Sequence, residues 1–246
     1  MCVNEATNKL KLPNWLDTIA VFDTETTGLN LAQDRIVTAA LHRMTSDGEI
    51  IPGGFDWVIN PGIPIPEVAS KVHGFYDKDV AEAMPASQGV PQIVDAINAC
   101  FAEGIPVLAY NAAYDFTILH YEAIRNGVNP LEFGLVIDPL VIDKTIDKYR
   151  KGKRNLVSAA ERYQVELLAA HTAKDDAVAA GHVGLAMLRF FSAMEKPVVA
   201  FPASAQILHD EQAKWADEIE ASYAKWRQQD VPDYKPVFGW PVKKLA

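Results

Sequence analysis

The sequence predicts an α/β domain built on a mixed five-stranded sheet with helices on its flanks, followed by a helical appendage. Two observations carry the fold class. Three strand-like segments come first with no helix between them, which gives an antiparallel portion. Further strands then alternate with helical segments, the pattern of an α/β domain. A third observation carries the appendage: residues 198–246 hold three of the five Trp, with a charged helical stretch.

Residues 18–25, Thr-Ile-Ala-Val-Phe-Asp-Thr-Glu, form a short, mostly apolar run that reads as a buried strand. Residues 35–44 read as a second strand and residues 55–60 as part of a third, with Gly48, Gly53 and Gly54 punctuating the hairpin region. Residues 61–66 are a Pro-rich turn. Ile93, Ile97 and Phe101 recur every four residues, so residues 91–101 are helical. Residues 106–110 form a short strand. A helix follows, with Asn111 at its N-cap and a stop at Asn126-Gly127. Residues 135–137 supply the fifth strand. Helices are expected over about 139–149, 155–163 and 173–194, the last ended by Pro197. In the appendage Ser204 is a suitable N-cap. Leu208, Trp215, Ile219, Tyr223 and Trp226 then fall near one stripe, which covers either the domain itself or a partner. The resulting division is an N-terminal extension over 1–16, a catalytic domain over 17–197 and a helix with a Trp/Pro tail over 198–246.

Composition removes several function classes. The chain has 246 residues, 49% hydrophobic and 22% charged, so disorder and low-complexity architectures are excluded. Two cysteines, Cys2 and Cys100, leave no disulfide framework and no cysteine-rich zinc site. No secretory leader is evident and no run of 18 apolar residues occurs, so a cytoplasmic, non-membrane setting is expected. The net charge of −9 argues against broad adhesion to duplex DNA, which needs many basic phosphate contacts. It leaves room for an enzyme that grips a few nucleotides through metal. One basic cluster interrupts the acidity: Lys144, Lys148, Arg150, Lys151, Lys153 and Arg154, with Asp143 and Asp147 among them. It is either a solvated face or a phosphate track for a single strand.

Four acids and a histidine draw attention. Asp23 and Glu25 are two apart on a strand, so both point to one face, shared with Ile19 and Val21. Adjacent carboxylates at a buried strand end repel and lose hydration. Either one is protonated or paired with a base, or a divalent cation neutralises both. Asp115 falls in the first turns of a helix, on the face of Ile118 and Leu119. Thr172 and Asp175 have capping-box spacing, which starts a helix at Ala173 and gives Asp175 a structural role. Asp176 then shares an inward stripe with Ala180, Val183, Met187 and Phe190. His171, five residues before that acid, is a candidate base.

The combination resembles the DEDDh family of 3′→5′ exonucleases, within the ribonuclease H-like superfamily. Phe22-Asp-Thr-Glu-Thr-Thr-Gly28 is similar to its first motif, Asn111-Ala-Ala-Tyr-Asp115 to its second, and His171-x-Ala-x-x-Asp176 to its third. The similarity covers about 17–195 and is strongest to the epsilon-type proofreading members that serve bacterial DNA polymerase III. The resemblance implies a ribonuclease H-like fold. It implies that Asp23, Glu25, Asp115 and Asp176 bind two Mg²⁺ or Mn²⁺ ions, with His171 as general base. It places Thr24, Thr26, His73, Asn111 and Phe116 near substrate, His73 within Val72-His73-Gly74. Some proofreading members carry a Glu five residues before that histidine; here position 68 is Val and Glu67 is one place away. Phosphodiester hydrolysis needs an activated water and a stabilised leaving oxygen, which two hard cations on carboxylates supply. The implied function is hydrolysis of single-stranded DNA from 3′ ends in proofreading or repair, with a DNA polymerase subunit as a possible partner. RNA trimming by the same motifs and a non-catalytic scaffold are the alternatives.

Overall fold

The computed structural model describes residue 7 and residues 10–167 and 172–245. Three long strands open the domain: β1 (Thr18–Thr26), β2 (Ile36–Thr45) and β3 (Ile50–Asn60). Two short helices, α1 (Glu67–His73) and α2 (Asp77–Val80), lead to a two-residue strand, β4 (Met84–Pro85). Then come α3 (Ala86–Ala102), β5 (Val107–Leu108), α4 (Ala112–Arg125), β6 (Val136–Ile137), α5 (Pro139–Ile146), α6 (Leu156–Tyr163), α7 (Ala173–Ser192) and α8 (Ala205–Arg227).

Among the described residues the sheet has six strands in the order β4-β3-β2-β1-β5-β6. β2 is antiparallel to β1 and to β3, while β5 and β6 run parallel to β1. The sheet is therefore mixed, as the sequence predicts, with β4 added at the edge beyond β3. Met84–Pro85 has too few residues to show a period, which is why that strand is silent in the sequence. β3 is longer than its apolar part because Gly53 and Gly54 lie within it. A Cβ on Gly54 would fall 2.1 Å from His42 Nδ1, so only glycine lets the imidazole lie against that strand.

β1 is buried on both faces, and its alternate residues enter two cores. Ile19 and Val21 join Met44 and the helices α5–α8, while Ala20 and Phe22 join α3 and α4. α7 crosses close to β1 through small residues. A Cβ on Gly181 would sit 2.6 Å from Val21 Cγ1. That close approach brings the start of α7 beside the C-terminal end of β1.

The edge strand β6 is covered by α8. Gln212 Oε1 accepts from the Asp138 N–H at 2.7 Å, and Gln212 Nε2 donates to the Val136 carbonyl at 2.9 Å. His209 Nδ1 accepts from the Val136 N–H at 3.1 Å. Side chains of α8 thus satisfy backbone groups that an open sheet edge would leave unpaired. Leu208 and Trp215 are buried against the domain, whereas Tyr223 and Trp226 on the same stripe are exposed. The cis-packing alternative therefore holds for the first half of the stripe only. The second half meets Tyr234 of the tail, Tyr223 edge-on at 5.7 Å. N-terminal Leu12 and Leu16 are also core residues, and Trp15 packs on Phe201.

Candidate active site

Asp23 and Glu25 leave β1 on the face turned to α7, and Asp176 comes up from the first turn of α7. One carboxylate oxygen from each lies within 4.8 Å of the others. The first turn of α7 is fixed from two sides. Thr172 Oγ1 accepts from the Asp175 N–H at 3.1 Å, the expected cap, and Lys174 pairs with Asp56 of β3 at 3.6 Å.

Asp115 reaches the same strand end from the other side of the sheet. β5 stops at Leu108, so on its β5 side β1 has no ladder partner opposite Thr24, which faces Ala39 of β2 on the other. The Asp115 carboxylate fills that place. Its Oδ1 accepts from the Thr24 N–H at 3.0 Å and from Thr24 Oγ1 at 2.7 Å. These bonds hold Asp115 close enough for its charge to act on Asp23.

Burial, then the charges of Asp115, Glu25 and Asp176, push the Asp23 carboxyl well above its usual range. Burial first, then Asp176 and Asp115, raises Glu25 to about 7. Burial also raises Asp115, with the Thr24 bonds working against it. Among the described residues no Lys or Arg forms an ion pair with Asp23, Glu25 or Asp115. Hard oxygen donors, crowded and without a compensating base, suit a divalent cation. With no Lys or Arg paired to the strand acids among the described residues, protonation of one acid or a divalent cation remains for the strand pair.

A family model described as exonuclease matches residues 20–183, two-thirds of the chain. The chain belongs to the exonuclease family. It is of the DEDDh, ribonuclease H-like type. It is similar to a DNA polymerase III subunit epsilon-like protein of Rhodobacter capsulatus, 32% identical over 177 residues. A PolC-type DNA polymerase III of Lactococcus lactis is 29% identical over 177 residues. These matches cover 70% and 72% of this chain but only 24% and 10% of the relatives. The fold is similar to E. coli exonuclease I in complex with a dA16 oligonucleotide. The TM-score is 0.59 at 17% identity, covering 73% of this chain and 41% of that one.

The other residues singled out by the exonuclease motifs divide clearly. His171 lies outside the described residues. Thr24 is engaged with Asp115. Thr26 Oγ1 and Tyr114 OH lie 2.5 Å apart, and each reaches the Gly28 carbonyl at 2.8 Å. Both threonine hydroxyls are thus used in building the strand end. Phe116 is fully buried, 5.6 Å from Phe22 and 5.5 Å from Phe133, so the expected substrate contact is corrected to a core position. Its place beside Asp115 on an amphipathic helix turns it to the other face of α4. Asn111 occupies the N-cap of α4 with φ +66°, but its side chain makes no capping bond. Asn tolerates that left-handed conformation better than most residues. The buried Asp138 carboxylate instead accepts from the Asn111 N–H at 3.0 Å. His73 is buried at the end of α1. Its Nδ1 accepts from the Phe75 N–H at 3.1 Å, which leaves the proton on Nε2. That nitrogen makes no bond of good geometry among the described residues, although the Thr26 backbone lies near enough to act on the ring.

Sequence reasoning overlooked Tyr114 and Asp138. Tyr114 has no signal of its own outside the motif. Asp138 does have one: an Asp before Pro is an N-cap followed by a proline at the first helical position, and its side chain accepts from the Leu140 and Val141 N–H groups.

The raised carboxyls fix a pH dependence. A group whose pKa rises on folding stabilises the fold while protonated and loses that contribution as pH climbs through the folded value. For Glu25 the window runs from 4.5 to about 7. The metal-stripped protein should therefore melt several degrees lower at about pH 8 than at about pH 5. Mg²⁺ should flatten the dependence, and Glu25→Gln should remove part of it. Equal melting temperatures of the stripped wild type at both pH values would contradict this assignment.

Proposed function

We propose that this chain is a divalent-metal-dependent 3′→5′ exonuclease that hydrolyses single-stranded DNA ends to 5′-mononucleotides. The observation that carries the reading is the convergence of Asp23, Glu25 and Asp176 beside Asp115, with no Lys or Arg among the described residues paired to the strand acids. In this reading the four carboxylates hold two Mg²⁺ or Mn²⁺ ions. Bound there, such ions polarise the phosphodiester and acidify an attacking water. Each protein residue has a separate task. β1 presents Asp23 and Glu25 on a rigid strand, and Gly181 keeps α7 close enough for Asp176 to join them. Thr24 fixes one oxygen of Asp115. His171 takes the proton of the attacking water. His73, at the end of α1 beside the Thr26 backbone, meets a sugar or phosphate oxygen of the terminal nucleotide. The epsilon-like and PolC-type relatives support a role beside a DNA polymerase, in proofreading or repair. Among the described residues no helix is long and apolar enough to cross a membrane.

Digestion of end-labelled oligonucleotides tests the reading. Single strands should be shortened from the 3′ end, faster than blunt duplex, because the end must unstack to reach the carboxylates. Chelator should stop the reaction, and DNA should be preferred to RNA. Equal cutting of a closed circular single strand would refute exonuclease action. Faster trimming of RNA would reassign the substrate.

A further inference from the structure

The turn between α5 and α6 is a second feature with a chemical character of its own. Residues 143–162 hold seven Lys and Arg against three Asp and Glu, in a chain of net charge −9. Five of the basic side chains fall into two groups. Arg150 and Arg154 point inward onto the buried Asp143, Arg154 at 2.8 Å, and Tyr163 OH donates to the same carboxylate at 2.8 Å. Arg154 also donates to the Asp147 and Arg150 carbonyls at 2.6 and 3.1 Å. These arginines brace the turn and spend their charge inside it.

The second group faces water. Lys148, Lys151 and Lys153 are exposed, and among the described residues none of the three forms an ion pair. Between them in the sequence stands Tyr149, 88% exposed and part of no hydrophobic cluster among the described residues. Lys151 and Lys153 border an open pocket of about 390 Å³ that Arg150, Gly152, Ser158, Glu161 and Arg162 complete. The braced turn is tied to the carboxylate site. Tyr110 OH donates to the Arg154 carbonyl at 2.8 Å, and Tyr110 directly precedes Asn111 at the start of α4, which carries Asp115.

A row of outward lysines around one bare aromatic ring on a rigid support matches the chemistry of a single-stranded nucleic acid. The lysines answer the phosphates, and the ring offers a face to a base. We infer that residues 148–153 form a track for the single strand behind its reacting end, with Lys148, Lys151 and Lys153 on phosphates and Tyr149 stacked on a base. The inference rests on the exonuclease reading for its substrate class. The acidic remainder of the surface would repel the strand elsewhere, so the track would also set its direction of entry.

Binding of fluorescent dT20 and rU20 tests this, in an Asp176→Asn background that leaves the oligonucleotide intact. Lys151→Ala/Lys153→Ala should weaken dT20 binding and lower the salt slope of log K by about 1.4, the share of two phosphate contacts on a single strand. Tyr149→Ala should weaken binding roughly tenfold with the slope unchanged, since stacking carries no counterion term. Lys225→Ala/Lys235→Ala, which removes two exposed lysines of the C-terminal segment, should leave both quantities near those of the background protein. Unchanged affinity and slope in the 151/153 variant would overturn the track, as would an equal loss in the 225/235 control. Melting temperatures of all variants should agree, because none of the replaced side chains is buried. Tight dT20 binding that depends on the lysines, in a protein whose wild type digests nothing, would keep the track and sink the exonuclease reading. Loss of rU20 binding alone would overturn the DNA assignment of the track.

Discussion

Asp176→Asn is expected to lower turnover by on the order of 10³-fold or more while the fold survives. The substitution keeps the shape of the side chain and removes one of three carboxylates whose oxygens lie within 4.8 Å of one another. Asp176 lies in the first turn of α7, where an acid contributes about 0.3–1 kcal/mol through the helix dipole. Loss of its repulsion on Asp23 and Glu25 offsets that. The variant should therefore melt within a few degrees of wild type in chelator and respond less to Mg²⁺. Steady-state digestion of a 3′-labelled single strand, with melting curves alongside, measures both. Turnover within tenfold of wild type would remove Asp176 from the site.

His171→Ala should slow the chemical step by on the order of 10²–10⁴-fold, the usual worth of a positioned general base. Metal affinity should change little, because His171 is assigned a proton and not a cation. Wild-type rate should fall at acid pH as the imidazole is protonated, and the variant should lose that limb. Single-turnover rates against pH make the comparison. A variant as fast as wild type would pass the role to another group. The expectation rests on the five-residue spacing of His171 from Asp176 and on the motif that both complete.

Long elements with a clear period are legible in the sequence. β1, β2, α4 and α7 lie within one or two residues of their expected bounds, and α8 starts at its expected cap, because each couples an unambiguous apolar pattern to a cap or stop. α1, α2 and β4 are not legible. They are four to seven residues or fewer, shorter than the window a period needs, and they follow a Pro-rich turn. At the site, the strand pair Asp23 and Glu25 and the inward Asp176 follow from periodicity alone. Asp115 does not, since its place depends on how soon β5 ends. Nor does the contrast between Asp115 and Phe116: adjacent residues on a helix point about 100° apart, and only tertiary packing shows which faces the strand end. The ties from Gln212 and His209 to the edge of β6 join residues more than seventy positions apart, beyond any local pattern.

Calorimetric titration of Mn²⁺ into the metal-stripped full chain tests the central assignment most directly. Wild type should take up about two ions per chain with release of protons, because carboxyls raised by burial must ionise to bind. Asp23→Asn should lose at least one ion or bind about tenfold more weakly. An Asp23→Asn protein that binds Mn²⁺ with wild-type stoichiometry and affinity would contradict a metal site built on the β1 carboxylates.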